Sequence, residues 1–222
     1  MAEKALFTWS GGKDSALALY HVQQQGDFEI TALLTTITGD YNRVSMHGFR
    51  TELLEQQVAS LDYELDMVRI PKDCTKKTYE KLMQDTLEKY KTKGVQKVIF
   101  GDIFLEDVRK YRENNLKKIG MEGIFPLWLL DTKELANEFI DLSFKAVITC
   151  VDSEMLAGGF VGRVYDKKFL AELPDCVDPC GEHGEFHTFV YDGPGFDHSI
   201  DFVKGEVVLR EERYYFVDLM MR

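Results

Sequence analysis

Short apolar runs alternate with longer stretches in which apolar residues recur every three or four positions, and this rhythm organises the first two-thirds of the chain. Ala5 to Trp9 reads as a strand, and Asp14 to Gln25 as a helix ended by Gly26. Ile30 to Ile37 is rich in β-branched residues and predicts a second strand, bounded by Gly39-Asp40. From His47 to Leu61, Leu53, Leu54, Val58 and Leu61 share one helical face. Glu64 to Ile70 is a third strand stopped by Pro71. Cys74 to Lys93 is an amphipathic helix with the stripe Tyr79, Leu82, Met83, Leu87 and Tyr90, closed by Gly94. Strands at Val95 to Ile103, Ile124 to Leu130 and Lys145 to Val151 alternate with helices at Glu106 to Ile119 and Lys133 to Phe144.

Such alternation implies right-handed crossovers and an α/β fold, a doubly wound, Rossmann-like parallel sheet covered on both faces. The rhythm breaks after Asp152. A glycine-rich stretch from Ser153 to Arg163 leads to one short helix at Asp166 to Leu173, then a Pro-rich loop from Pro174 to Gly195. Val203 to Leu219 alternates as antiparallel strands do. The expected division is a nucleotide-binding domain over residues 1–152 and a smaller C-terminal α+β substrate lobe over 153–222.

Composition narrows the class. A hydrophobic fraction of 45% suffices for a sizeable core, and no run approaches a membrane span. The start of the chain lacks a secretory profile, so a cytoplasmic location is expected. A net charge of -11 argues against a broad nucleic-acid surface, although backbone amides and one or two local cations can still hold a nucleotide. Cys74, Cys150, Cys176 and Cys180 are too scattered for a disulfide scaffold.

The first chemistry lies between the opening strand and helix, at Ser10-Gly11-Gly12-Lys13-Asp14-Ser15. Two glycines allow close backbone approach, and free amides at a helix start point at an anion. Ser10 and Ser15 can donate, Lys13 supplies a charge, and Asp14 can hold Mg²⁺ against phosphates. A Walker loop does not fit: Phe7 stands where its first glycine belongs, and Asp14 follows Lys13. A plain glycine turn capping a helix is the bland alternative.

The segment resembles the pyrophosphatase-loop superfamily, whose HUP-like nucleotide domain cleaves ATP between the α and β phosphates to adenylylate an oxygen acceptor. That resemblance implies that Ser10, Gly11, Gly12, Asp14 and Ser15 cradle the outer phosphates, with Lys13 near the developing charge and adenine over Leu33 to Thr36. Gly101-Asp102 closes the fourth strand on the same rim. Asp102 is a candidate second magnesium or substrate ligand, and Arg109 a candidate counter-charge for an acyl-adenylate. For Glu106, Asp107 and Arg112 a solvated helix face laced by ion pairs is an equal reading.

A third constellation runs from Asp178-Pro179-Cys180-Gly181-Glu182-His183-Gly184-Glu185-Phe186-His187-Thr188 to Asp192-Gly193-Pro194. With Gly101-Asp102, Arg109 and Pro126-Leu127-Trp128, it is similar to the diphthine–ammonia ligase family. The resemblance implies an ATP- and Mg²⁺-dependent amide-forming ligase that releases AMP and pyrophosphate, then transfers ammonia from a donor. The acceptor would be diphthine in elongation factor 2 or a small carboxylate. Glu182, Glu185 and Thr188 would face the substrate, with Glu185 steering ammonia or acting as its base. His47, beside Arg43 and Arg50, is a candidate substrate contact or a helix cap. A homo-oligomer is expected.

Alternatives stay open. Cys176, Cys180, His183 and His187 have a spacing that could wrap zinc, although the pairs sit close for a tetrahedron. A pyrophosphatase of the same fold acting on another acceptor or nucleobase, and a non-catalytic nucleotide sensor, are the rival functions.

Overall fold

The computed structural model describes residues 2–222. Strand β1 (Glu3–Thr8) is the axis of the first sheet. Ala5, Leu6 and Phe7 are fully buried, so β1 must be covered on both faces. Parallel partners flank it: β2 (Phe28–Thr38) on one edge and β5 (Lys97–Ile99) on the other. Beyond them lie β4 (Leu65–Ile70), parallel to β2, and β6 (Glu122–Ile124), parallel to β5. A short β3 (Arg43–Val44) pairs antiparallel with the last two residues of β2.

Alternate residues of β1 feed two cores. Ala5 and Phe7 join a cluster with Leu17 and Leu19 of α1 (Lys13–Gln25) and Leu53, Leu54 and Val58 of α2 (Thr51–Ser60). Leu6 joins the opposite cluster with Leu87 and Tyr90 of α3 (Lys76–Thr92) and Leu116 of α4 (Glu106–Lys118). The doubly wound α/β architecture expected from the pattern is therefore present. The chain reverses direction of winding between β1 and β5, the place where open α/β sheets form a crevice at their carboxyl ends.

After α5 (Thr132–Asp141), whose Asp131 cap accepts from the amides of Lys133 and Glu134, comes β7 (Lys145–Asp152). This strand does not extend the parallel sheet. It pairs antiparallel with β8 (Phe186–Asp192) and with β10 (Tyr214–Met221), which pairs in turn with β9 (Phe202–Arg210). The second sheet has the order β8-β7-β10-β9, with the short α6 (Lys167–Glu172) between β7 and β8.

Two further expectations give way. Residues read as a strand from Ile124 to Leu130 are a strand only to Ile124, because Pro126 lacks an amide and Leu129 takes a positive φ of 60°. The stretch read as loop from Pro174 to Gly195 contains β8, whose Phe186, Thr188, Phe189 and Val190 are buried. Among the described residues no helix is long and apolar enough to cross a membrane.

The sheets meet on the loop between β1 and α1. Val190 N–H donates to Gly11 O at 2.9 Å, and the fully buried Gln57 of α2 donates through Nε2 to both Gly11 O and Val190 O. Its Oε1 accepts from Trp9 Nε1 at 3.2 Å. At the start of α2, Arg43 and Arg50 converge on Asp218 of β10 at 2.8 and 2.7 Å.

Candidate active site

A cleft of about 370 Å³ opens at the carboxyl ends of β1, β2 and β5 and is closed from the other side by the start of β8. Ser10, Lys13, Asp14 and Ser15 form its floor, and Leu34, Thr35 and Thr36 one wall. The loop is ordered by its own hydroxyls. Gly12 N–H donates to Ser10 Oγ at 3.2 Å, Ser15 Oγ–H to Gly12 O at 2.8 Å, and the two serine oxygens lie 3.1 Å apart. Lys13 N–H donates to Thr188 Oγ1 at 3.0 Å. The next amides of α1, those of Asp14 and Ser15, have no main-chain acceptor among the described residues, as the first turn of a helix requires, and that of Asp14 faces its own carboxylate.

The glycines serve packing as well as approach. Gly11 has φ +75°, and a Cβ there would stand 2.5 Å from Phe49 Cζ; one on Gly12 would stand 2.5 Å from His47 Cε1. One on Gly101 would press at 3.1 Å on the backbone of Asp14 and Ser15. Gly101 thereby lets the end of β5 lie directly against the first turn of α1.

Lys13 is buried, and its ammonium is held by both oxygens of Asp14, at 2.7 and 2.8 Å, and by the Cys180 carbonyl. Burial alone lowers its pKa, but Asp14 and then Cys180 and Glu182 reverse that, so it lies above the ordinary lysine value. Burial works against ionisation of Asp14 and Lys13 against its neutralisation. With both oxygens on the ammonium, the charged pair is the form the geometry fits.

Glu182 reaches from the turn before β8 to the loop between β5 and α4, accepting from Ile103 N–H at 2.9 Å and more weakly from Phe104 N–H at 3.4 Å. Burial first, then the charge of Asp14, push its carboxyl up to about 7. Asp102 is gripped by Arg112, with an Nη2–Oδ1 hydrogen bond of 3.0 Å and an Nε–Oδ2 contact of 2.6 Å whose angle makes no hydrogen bond. His47 and His187 also line the cleft with Thr188.

Ser10, Lys13, Asp14, Ser15, Gly101, Asp102, Glu182, Thr188 and His47 line the one cleft. Gly11 and Gly12 lie behind it, packed on Phe49 and His47, and two further residues stand elsewhere. Glu185 is fully buried outside the cleft lining, one oxygen accepting from Asp178 N–H at 3.0 Å and the other without a partner. It orders the turn: Asp178 Oδ1 accepts from the amides of Cys180 and Glu182, the residues that hold Lys13 and reach Ile103. Arg109 turns away, bonding Glu113 at 2.7 Å and lying over Phe125 and Trp128, while Arg112 enters the cleft in its place. Neither reversal could be read from residue type. Arg112, His187, Tyr79 and Met83 are cleft residues the sequence reading gave to other roles.

Cys176 is exposed, while Cys180 is buried with its thiol pushed far up by burial; no group of three or more His, Cys, Asp or Glu side chains converges as a metal site among the described residues. That disposes of the zinc arrangement. A phosphate chain fits the floor, which offers the amides of the first turn of α1 and the Ser10 hydroxyl. Magnesium fits only as an ion shared with phosphate oxygens: Asp14 is paired with Lys13 and Asp102 with Arg112, so each carboxylate would share its oxygens with its cation.

Two family models match: the diphthamide synthase N-terminal domain over residues 3–123 and the diphthamide synthase C-terminal domain over residues 131–219. The chain is similar to the protein named diphthine–ammonia ligase of Schizosaccharomyces pombe, 26% identical over 226 residues, which is 92% of this chain and 37% of that protein. The human protein of that name is 30% identical over 156 residues, 68% of this chain and 57% of the relative. That of Rattus norvegicus is 26% identical over 230 residues, 90% and 83% of the two lengths. The matched region is thus well under two-thirds of the yeast and human proteins.

Proposed function

The chain belongs to the diphthamide synthase family, and from that premise we propose that it is an ATP-dependent ligase that joins ammonia to a carboxylate. The acceptor of first choice is diphthine in elongation factor 2, which would set the reaction in the cytoplasm. One observation carries the reading: the donor-rich loop Ser10 to Ser15 and the carboxyl of Glu182, far apart in sequence, wall one cleft.

ATP supplies a leaving group, AMP, for the acceptor carboxylate. The chain's residues do the rest. Amides of Asp14 and Ser15 and the hydroxyl of Ser10 grip the outer phosphates, and Asp14 and Asp102 would hold magnesium, which would draw charge from those oxygens. Arg112, which enters the cleft, offsets the negative charge that builds on departing pyrophosphate. Lys13 acts on Asp14 instead, since its ammonium is taken up by both Asp14 oxygens and Cys180 O. Glu182, poised near neutrality, can take or return a proton at the acceptor side.

The test uses ATP labelled at the α phosphate, diphthine-bearing elongation factor 2 and ammonium. AMP and pyrophosphate should form in step with the amide; ADP and phosphate would eliminate the chemistry.

A further inference from the structure

His47 and His187 belong to distant segments, the turn after β3 and the strand β8, yet their rings lie 4.8 Å apart at 45° in the cleft. His47 Nδ1 is 2.8 Å from Thr188 O. A carbonyl only accepts, so Nδ1 carries the proton and Nε2 presents a bare lone pair. Neither that Nε2 nor the ring nitrogens of His187 have a hydrogen-bond partner among the described residues, and none is sealed from solvent. The pair abuts the phosphate loop, since the His47 ring occupies the space a Gly12 side chain would need. Burial holds both rings neutral, His47 down to about 4 and His187 down to about 3, with Lys13 adding to each and His47 to His187.

A guest at this spot meets unshared lone pairs and no anion, next to a lysine that disfavours cations. Phosphate oxygens, themselves acceptors, find nothing to bind in two neutral rings apart from one ring N–H on His187. Ammonia is complementary: it has N–H groups to donate, no charge, and a lone pair left over.

Resting on the ligase reading, we propose that His47 and His187 form the seat of the nitrogen nucleophile, holding ammonia by hydrogen bonds beside the activated carboxyl. One N–H donates to His47 Nε2 and another to a His187 nitrogen, leaving the lone pair free to attack. The new N–C bond forms as the bond from that carbon to the AMP oxygen breaks, and its electron pair leaves on AMP. The surplus proton on nitrogen passes to an imidazole and on to water. Both rings touch the reactant, so their variants should act on nucleophile use more than on ATP use.

The experiment separates the two halves of the reaction with diphthine-bearing elongation factor 2. Acceptor-dependent exchange of labelled pyrophosphate into ATP is measured without ammonium, and amide formation is measured against ammonium concentration. His187→Phe, which keeps volume and removes acceptors, should raise the ammonium KM about tenfold or more while exchange changes less than about threefold. His187→Gln, which restores an acceptor, should recover most of that loss, and His187→Ala should admit methylamine as a substitute. Should His187→Phe fail to fold, His47→Asn carries the same test, since its amide can still donate to Thr188 O but lacks the Nε2 acceptor. An unchanged ammonium KM, or exchange lost in parallel with it, overturns the seat. Absence of exchange in the parent chain is a different result: it defeats the ligase reading itself.

Discussion

Glu182 Oε1 and the backbone amide of Ile103 stand 2.9 Å apart, so a side chain from the turn before β8 pins the loop between β5 and α4. Because burial lifts this carboxyl to about 7 from an ordinary 4.5, the folded chain binds its proton more tightly than the unfolded one. Stability from this group is fully present below pH 4.5 and falls as pH rises towards 7. Glu182→Gln keeps the acceptor for Ile103 and cannot titrate. The unfolding free energy of the parent, from urea titrations, should decline over that window by up to about 3 kcal/mol, and that of the variant should decline less.

Lys13 is the second test. Lys13→Met leaves the Asp14 carboxylate without its cation, and breaking such a pair should cost about 3 kcal/mol, measured by denaturant unfolding at pH 7. Adding Asp14→Asn to Lys13→Met should restore part of that stability without restoring ligase turnover. A double variant as unstable as the single one would mean that Asp14 was never charged.

Asp218 gives a pH dependence of the opposite sign. Hydrogen bonds from Arg50, then Arg43, hold its carboxyl down to about 2, so its contribution is present above pH 4 and disappears as pH falls towards 2. Asp218→Asn should lose about 1–2 kcal/mol at pH 7, allowing for the part-exposed arginines, and nothing relative to the parent at pH 2. Thermal melts of both proteins across that range decide it.

Gly101→Ala places a methyl 3.1 Å from the backbone of Asp14 and Ser15, which cannot swing aside as a side chain can. Overpacking here should cost about 1–3 kcal/mol and raise the KM for ATP, because the first turn of α1 must shift. A melt and an ATP titration of this variant check both parts. Gly26→Ala, where a Cβ meets nothing within 4 Å, should show only the strain of its positive φ and leave the ATP KM alone.

The parallel sheet and the loop Ser10 to Ser15 were legible in the chain because their determinants are local: buried alternation, a glycine turn, a helix start. Strand β7 was legible as a strand but not in its partners. Its apolar run suits a sheet interior of either sense, and its neighbours, β8 and β10, come later in the chain. Strand β8 was hidden because Gly, Pro and His just before it suggested loop, although Phe186 to Tyr191 carries strand-forming residues. Arg109 and Arg112 sit three residues apart on α4, so spacing could not say which faces the cleft. Stacking of Arg109 on Phe125 and Trp128 decides that, and those aromatics lie beyond the next strand. Glu185 falls outside the cleft for a related reason: acidity suggests a working surface, while its burial depends on the turn folding over it.

The bond from Val190 N–H to Gly11 O makes the loop between β1 and α1, in effect, an extra rung on the edge of the second sheet. Neither half of the chain owns the complete loop, so residues 3–123 produced alone should leave Gly11 O and Lys13 without their partners from β8. Assembly of the cleft and assembly of the molecule are one event, and the two matched regions can be inherited usefully only as a pair.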